Sequence, residues 1–114
     1  MTTSVYAITV DCADAAKLAA FWAEVLDAKV DDGAGAAFAS LSCEPKWMFM
    51  QVPEGKAGKN RVHVDLASSN PEGELKRIVD LGARRLADFS ENGARWTTLL
   101  DPEGNEFDLI LEGA

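Results

Sequence analysis

One order of elements is written twice in this chain, at an offset of 56 residues. Asp14 opens one helical stretch and Asn70 another, and the strand-like patterns that precede them begin at residues 5 and 61. In each half the pattern is strand, helix, then three strands. No residue-level identity accompanies the offset, so it is a repeat of pattern alone. Such a repeat restricts the chain to two like modules and predicts a pseudo-two-fold axis.

In the first half, Tyr6, Ile8 and Val10 alternate with Val5, Ala7, Thr9 and Asp11, the period of a strand with one apolar face. Asp14 then caps a helix whose stripe is Leu18, Phe21, Trp22, Val25 and Leu26, ending near Asp27. Lys29-Val30-Asp31 is a short strand, and Asp32-Gly33 a turn. A further strand over 36–43 is broken by Glu44-Pro45, and 46–52 returns as another. In this last strand Trp47, Phe49 and Gln51 share one face, while Met48, Met50 and Val52 share the other.

Residues 53–60 hold Pro53, Gly55 and Gly58 with no large apolar residue, and read as the loop between halves. Beyond it, Val62, Val64 and Leu66 alternate with Arg61, His63 and Asp65. Asn70 caps a second helix with Pro71 at its first position, Leu75, Ile78 and Val79 on its stripe and Gly82 at its end. A short strand over 83–88 and a turn at Glu91-Asn92-Gly93 lead into a hairpin over 95–111. Asp101-Pro102-Glu103-Gly104-Asn105 closes that hairpin: Pro102 presets φ, Gly104 tolerates positive φ, and Asp101 and Asn105 bond neighbouring backbone. On its second strand Asp108 faces away from Phe107 and Leu109. The expected fold is α+β, one domain of two βαβββ modules, 1–53 and 60–114, joined by the loop 53–60.

Composition removes several classes of function. Eleven basic against nineteen acidic residues leave a net charge of −8, the wrong sign for contacts to phosphate. Apolar runs fall well short of the ~18–20 residues of a membrane helix. No basic-then-apolar stretch marks a secretory signal. Cys12 and Cys43 have neither CxxC nor Cys/His spacing, and read as reduced, mostly buried thiols of a cytoplasmic protein.

Several segments carry a resemblance. Asp11-Cys12-Ala13-Asp14 leads into Leu18-Ala19-Ala20-Phe21-Trp22 and Val25-Leu26; Lys59-Asn60-Arg61-Val62-His63-Val64-Asp65-Leu66, Leu81-Gly82-Ala83 and Asp101–Phe107 follow in order. Together they resemble the glyoxalase/bleomycin-resistance/dioxygenase superfamily, the vicinal oxygen chelate fold, and look closest to its short bacterial glyoxalase-like proteins. The resemblance implies curled mixed sheets around a cavity, commonly completed as a homodimer. It also implies a four-residue metal position, which maps by motif onto Ala7, Gln51, His63 and Asp108. The spacings from 7 to 63 and from 51 to 108, 56 and 57 residues, follow the repeat. The chemistry departs from it, because Ala7 has no donor atom and Gln51 offers only a neutral amide. No cofactor is therefore expected, and Mg²⁺ or Mn²⁺ would be held loosely, through water.

His63, the sole histidine, reads as a structural histidine, a contact to a ligand, or a metal ligand. Asp65 shares its face and could orient the ring, complete a coordination sphere as Asp11 also could, or pair with Arg61. Asp108 is a candidate ligand, general base or solvated acid. Trp47, Phe49 and Gln51 form a candidate binding wall, Trp96 a cavity lining or dimer contact, and Thr9 a further neighbour. Thr97 and Thr98 read as strand formers. Lys56, Lys59 and Arg61 are a solvated loop or counter-charges to an anion.

Three functions remain open. The first is a small-molecule binder, of the antibiotic- or metabolite-sequestering kind, taking an apolar or aromatic ligand on Trp47, Phe49, Gln51, His63, Trp96 and Asp108. The second is a divalent-metal-dependent lyase, isomerase or dioxygenase that uses His63 and Asp108. The third is a ligand-free dimeric interaction domain.

Overall fold

The computed structural model describes residues 2–112. Contacts within the chain divide it into two units between Gly55 and Lys56, inside the glycine-containing loop. Each unit is a four-stranded mixed sheet with one helix on one face, and the strand order is the same in both. The repeat of sequence pattern is thus a repeat of topology.

The first unit contains β1 (Ala7–Cys12), α1 (Ala15–Leu26), β2 (Lys29–Val30), β3 (Phe38–Ser42) and β4 (Lys46–Gln51). The strands lie in the order β1-β4-β3-β2, with β1 parallel to β4. Asp14 caps α1 by accepting a hydrogen bond from the Lys17 N–H, and Asp27 ends it in the left-handed region at φ 53°. The helix buries Leu18, Phe21, Trp22 and Val25 against Ala39, Leu41, Trp47 and Phe49 of the sheet. Trp22 and Trp47 meet with ring centroids 5.1 Å apart, and Trp47 and Phe49 follow at 6.3 Å. These aromatic residues are the core of the unit. Tyr6, read from the sequence as part of the apolar face of β1, precedes the strand and is 79% exposed.

On the face of this sheet away from α1, the Asp31 carboxylate collects three donors. Ser40 Oγ is at 2.6 Å and Lys46 Nζ at 2.8 Å, and Ser42 Oγ donates to its other oxygen. The bond from Lys46, then those from Ser40 and Ser42, hold this carboxyl far below its ordinary value of 3.8. A depressed carboxyl stabilises the fold fully above that ordinary value and loses the contribution as pH falls below it. Asp31→Asn should therefore flatten the acid limb of a stability–pH curve between about pH 4 and strongly acid conditions. Urea midpoints measured across that range check this; an unchanged slope would mean the carboxylate is not differentially bound in the folded state.

The second unit contains β5 (Asp65–Leu66), α2 (Pro71–Asp80), β6 (Arg84–Glu91), β7 (Ala94–Leu100) and β8 (Glu106–Glu112), in the order β5-β8-β7-β6. The Asn70 side chain caps α2 by accepting from the Gly73 N–H. Leu75 and Ile78 of the helix are buried, as are Thr97, Leu99, Phe107 and Leu109 of the sheet. Two strands differ from their sequence reading. The pattern over 61–66 gives only the two-residue β5, and Val62 is 80% exposed. The strand expected over 83–88 runs on to Glu91, with a bulge between Arg85 and Ala87.

Candidate functional site

Alternation on the second sheet sends Phe107 and Leu109 towards α2 and leaves Asp108 and Ile110 on the opposite face. The DPEGN turn fixes what stands beside them. Closing it on the pair Leu100–Glu106 puts Thr98 across from Asp108 and Trp96 across from Ile110. On the other side of β8, Asp65 of β5 pairs with Asp108. The result is a polar row, Asp65–Asp108–Thr98, running across three strands. The adjoining row is Ile110–Trp96–Phe89, since Phe89 of β6 pairs with Trp96.

In the polar row, Thr98 Oγ1 donates to Asp108 Oδ1 at 2.6 Å. His63 lies just before β5 with its Nδ1 3.2 Å from Asp65 Oδ1 and 3.8 Å from Asp108 Oδ2. Asp108 is the most enclosed of the three, its side chain 15% exposed against 41% for His63 and 55% for Asp65. In the apolar row, Phe89 and Trp96 stack at a centroid distance of 5.6 Å and an angle of 19°. Phe89 is 46% exposed. A flat aromatic step therefore stands one residue pair away from a group of hydrogen-bond acceptors.

The donor atoms of His63, Asp65 and Asp108 all lie within 4.8 Å of one another. One imidazole and two carboxylates form a mixed nitrogen and oxygen set suited to borderline and hard divalent ions, and three protein ligands match an open, catalytic type of site. These residues fit a divalent ion, with Asp65 in a role the sequence allowed it. Ala7 contributes no donor.

Three residues expected in the site lie elsewhere in the structure. Trp47 is 8% exposed and Phe49 fully buried, because their face of β4 is the one α1 covers. Packing beneath the helix leaves them no surface for a ligand. Gln51 shares that face, and its Nε2 donates to the Ala13 carbonyl at 2.9 Å. The structural counterpart of Asp108 in the first unit is Met48, which pairs with Thr9 as Asp108 pairs with Asp65. Thr9 and Asp65 are 56 residues apart, but Met48 and Asp108 are 60 apart, so the spacing of 57 pointed to the wrong residue. Of the other candidates, Thr9 and Asp11 lie on the face of the first sheet away from α1, with Ala7. Lys56 pairs with Glu106, Nζ to Oε1, at 3.4 Å.

Two residues of the site escaped the sequence reading. Thr98 was available from the hairpin register, once the turn is closed on Leu100 and Glu106. Phe89 lay beyond the strand expected over 83–88, although the two-residue Asn92-Gly93 turn, which pairs Glu91 with Ala94, is what brings it opposite Trp96.

Comparisons with known proteins accord with this architecture. A glyoxalase/bleomycin resistance protein/dioxygenase family enzyme from Burkholderia phytofirmans PsJN superposes with a TM-score of 0.78 at 16% identity, covering 95% of this chain and 98% of its own. The fosfomycin resistance protein FosX from Listeria monocytogenes, solved with Mn(II) and 1S,2S-dihydroxypropylphosphonic acid, gives 0.75 at 14% identity over 96% of this chain and 90% of its own. An oxidase, ChaP-H2, gives 0.71 at 17% identity over 96% and 94%. At these identities the likeness is one of fold. No curated protein matches the sequence. Among the described residues no helix is long and apolar enough to cross a membrane. The glyoxalase-like domain model, by contrast, matches residues 7–110, through both βαβββ units and every residue of the two rows, and the chain belongs to that glyoxalase-like family.

Proposed function

We propose that this protein binds a small molecule on the open face of its second sheet. The observation that carries the reading is the adjacency of the two rows: the Phe89–Trp96 stack beside His63, Asp65, Asp108 and Thr98. The stack suits a flat apolar or aromatic body, and the carboxylates suit a head group that brings hydrogen-bond donors. An apolar wall with a few convergent polar groups is the usual make-up of a small-molecule pocket.

Ligand-detected NMR against a library of aromatic compounds with amine or hydroxyl heads tests it. Hits should lose about 5–30-fold in affinity on Trp96→Ala and on Asp108→Asn, the equivalent of ~1–2 kcal/mol for one contact. Hits that bind both variants as well as the native protein would place the ligand elsewhere.

A second reading is favoured by one specific observation, the clustering of the His63, Asp65 and Asp108 donor atoms within 4.8 Å. On this reading the protein is a divalent-metal-dependent lyase, isomerase or dioxygenase. The bound ion would act as a Lewis acid on substrate oxygens. His63, Asp65 and Asp108 would hold it, and Thr98 would fix the orientation of the Asp108 carboxylate. Asp65 separates the readings. Metal analysis of protein purified without chelator should find no stoichiometric ion after dialysis if the first is correct. An ion that survives dialysis and is lost in Asp65→Ala would favour the second.

A further inference from the structure

His63 occupies a stretch of chain that the sheet does not hold. The β5–β8 ladder covers only Asp65 and Leu66. Upstream of it, one further backbone bond, from the Asp108 N–H to the Val64 carbonyl at 3.0 Å, ties the strand to β8. Residues 61–64 lie outside any strand or helix, and Val62 points into solvent. A side chain on such a segment would ordinarily sample many orientations.

The Asn60 side chain supplies what the ladder lacks. Its Oδ1 accepts from the Glu106 N–H at 2.9 Å, and its Nδ2 donates to the Glu106 carbonyl at 3.2 Å. Those are both main-chain groups of one β8 residue. A carboxamide carries the same donor and acceptor as a peptide group, so Asn60 occupies the place of a strand residue one rung before the ladder begins. Nδ2 also donates to the Val62 carbonyl at 2.6 Å, and the Asn60 N–H reaches Glu106 Oε1 at 3.3 Å. His63 is thereby strung between two anchors on β8, Asn60–Glu106 and Val64–Asp108. Its ring is left with Nδ1 towards both carboxylates.

We infer that Asn60 is the positioning residue of this site: its carboxamide stands in for a strand peptide and, by fixing the His63 backbone, sets the tautomer of the imidazole. Ionised carboxylates only accept hydrogen bonds, so the neutral ring keeps its proton on Nδ1, facing Asp65 and Asp108. Nε2 is then the acceptor presented outward. The inference rests on the proposed site for its relevance, but its test needs no ligand and no metal, so the two can fail separately.

His63 is the only histidine, so long-range ¹H–¹⁵N spectra of the labelled full chain report its tautomer without assignment ambiguity. At alkaline pH the native protein should show the proton mainly on Nδ1. Asn60→Ala should move the population towards Nε2–H, the form that free histidine prefers. Asn60→Asp should do the same, since it loses both donated bonds and sets a carboxylate against the Glu106 carboxylate. Ile78→Val, a change at a buried α2 residue outside the 60–64 segment, should lower overall stability and leave the tautomer unchanged. An Nδ1–H signal that persists in both Asn60 variants, or one that Ile78→Val shifts equally, would overturn the inference.

Discussion

Trp47→Ala should destabilise the protein by about 3–5 kcal/mol, the range for deleting a large aromatic side chain from a packed core. The side chain sits between Trp22 of α1, at 5.1 Å, and Phe49 of its own strand, at 6.3 Å. The two neighbouring rings are themselves buried, so the cavity would collapse only in part. Trp47→Phe keeps most of the apolar area and should cost much less, about 1 kcal/mol, in line with swaps that preserve volume and character. Urea denaturation followed by far-ultraviolet circular dichroism reads both variants. If Trp47 lined a ligand site instead, the alanine variant would keep nearly all its stability and lose binding. Ligand affinity at the Phe89–Trp96 face should be unaffected by Trp47→Phe.

The contrast between Trp47 and Trp96 shows what the residues could and could not reveal. Period-two alternation correctly grouped Trp47 with Phe49, and Asp108 away from Phe107. Alternation says which residues share a face, but not which face a helix covers. In β8 the question answered itself, because the apolar side, Phe107 and Leu109, is the one that needs covering. In β4 both faces are apolar, Trp47 and Phe49 on one and Met48 and Met50 on the other. Nothing local to the strand chooses between them. The choice is made by the large aromatic residues of α1, where Phe21 meets Trp22 and Trp22 packs on Trp47. The placement of Gln51 failed for the same reason, being one face out of phase. His63 and Asp65 were legible as neighbours because they are two residues apart. Their approach to Asp108 depends on a parallel pairing across more than forty residues of chain, which no local signal encodes.

The second large effect is expected at the turn that sets the register of the site. Asp101 is 3% exposed, and its carboxylate is an acceptor for a whole loop. Oδ1 takes the Glu103 N–H at 2.9 Å, the Asn105 N–H at 3.0 Å and Asn105 Nδ2 at 3.1 Å, and Oδ2 takes Nδ2 again at 3.0 Å. Backbone bonds across the turn, Asp101 N–H to Asn105 carbonyl and Gly104 N–H to Asp101 carbonyl, close at 2.9 and 2.8 Å. Gly104 holds φ at 84°, where a side chain would be strained. Removing the carboxylate leaves several donors without an acceptor in a poorly hydrated place, and each unsatisfied group costs about 1–3 kcal/mol. Because the donors belong to one small loop and can relax together, Asp101→Ala should cost about 2–4 kcal/mol in total rather than their sum. Asp101→Asn retains one oxygen for the two backbone N–H groups, loses the paired contact to Asn105 Nδ2, and should fall roughly midway. The turn also dictates that Thr98 faces Asp108. If it loosens, the Thr98 hydroxyl no longer reaches the Asp108 carboxylate, and each row of the site breaks between β7 and β8. Amide hydrogen exchange should therefore speed up in Asp101→Ala along β7 and β8 together, while the α1 amides of the first unit keep their protection. Uniform loss of protection across both units would instead mean that they unfold as one, and that the turn stabilises the chain without specifically setting the site.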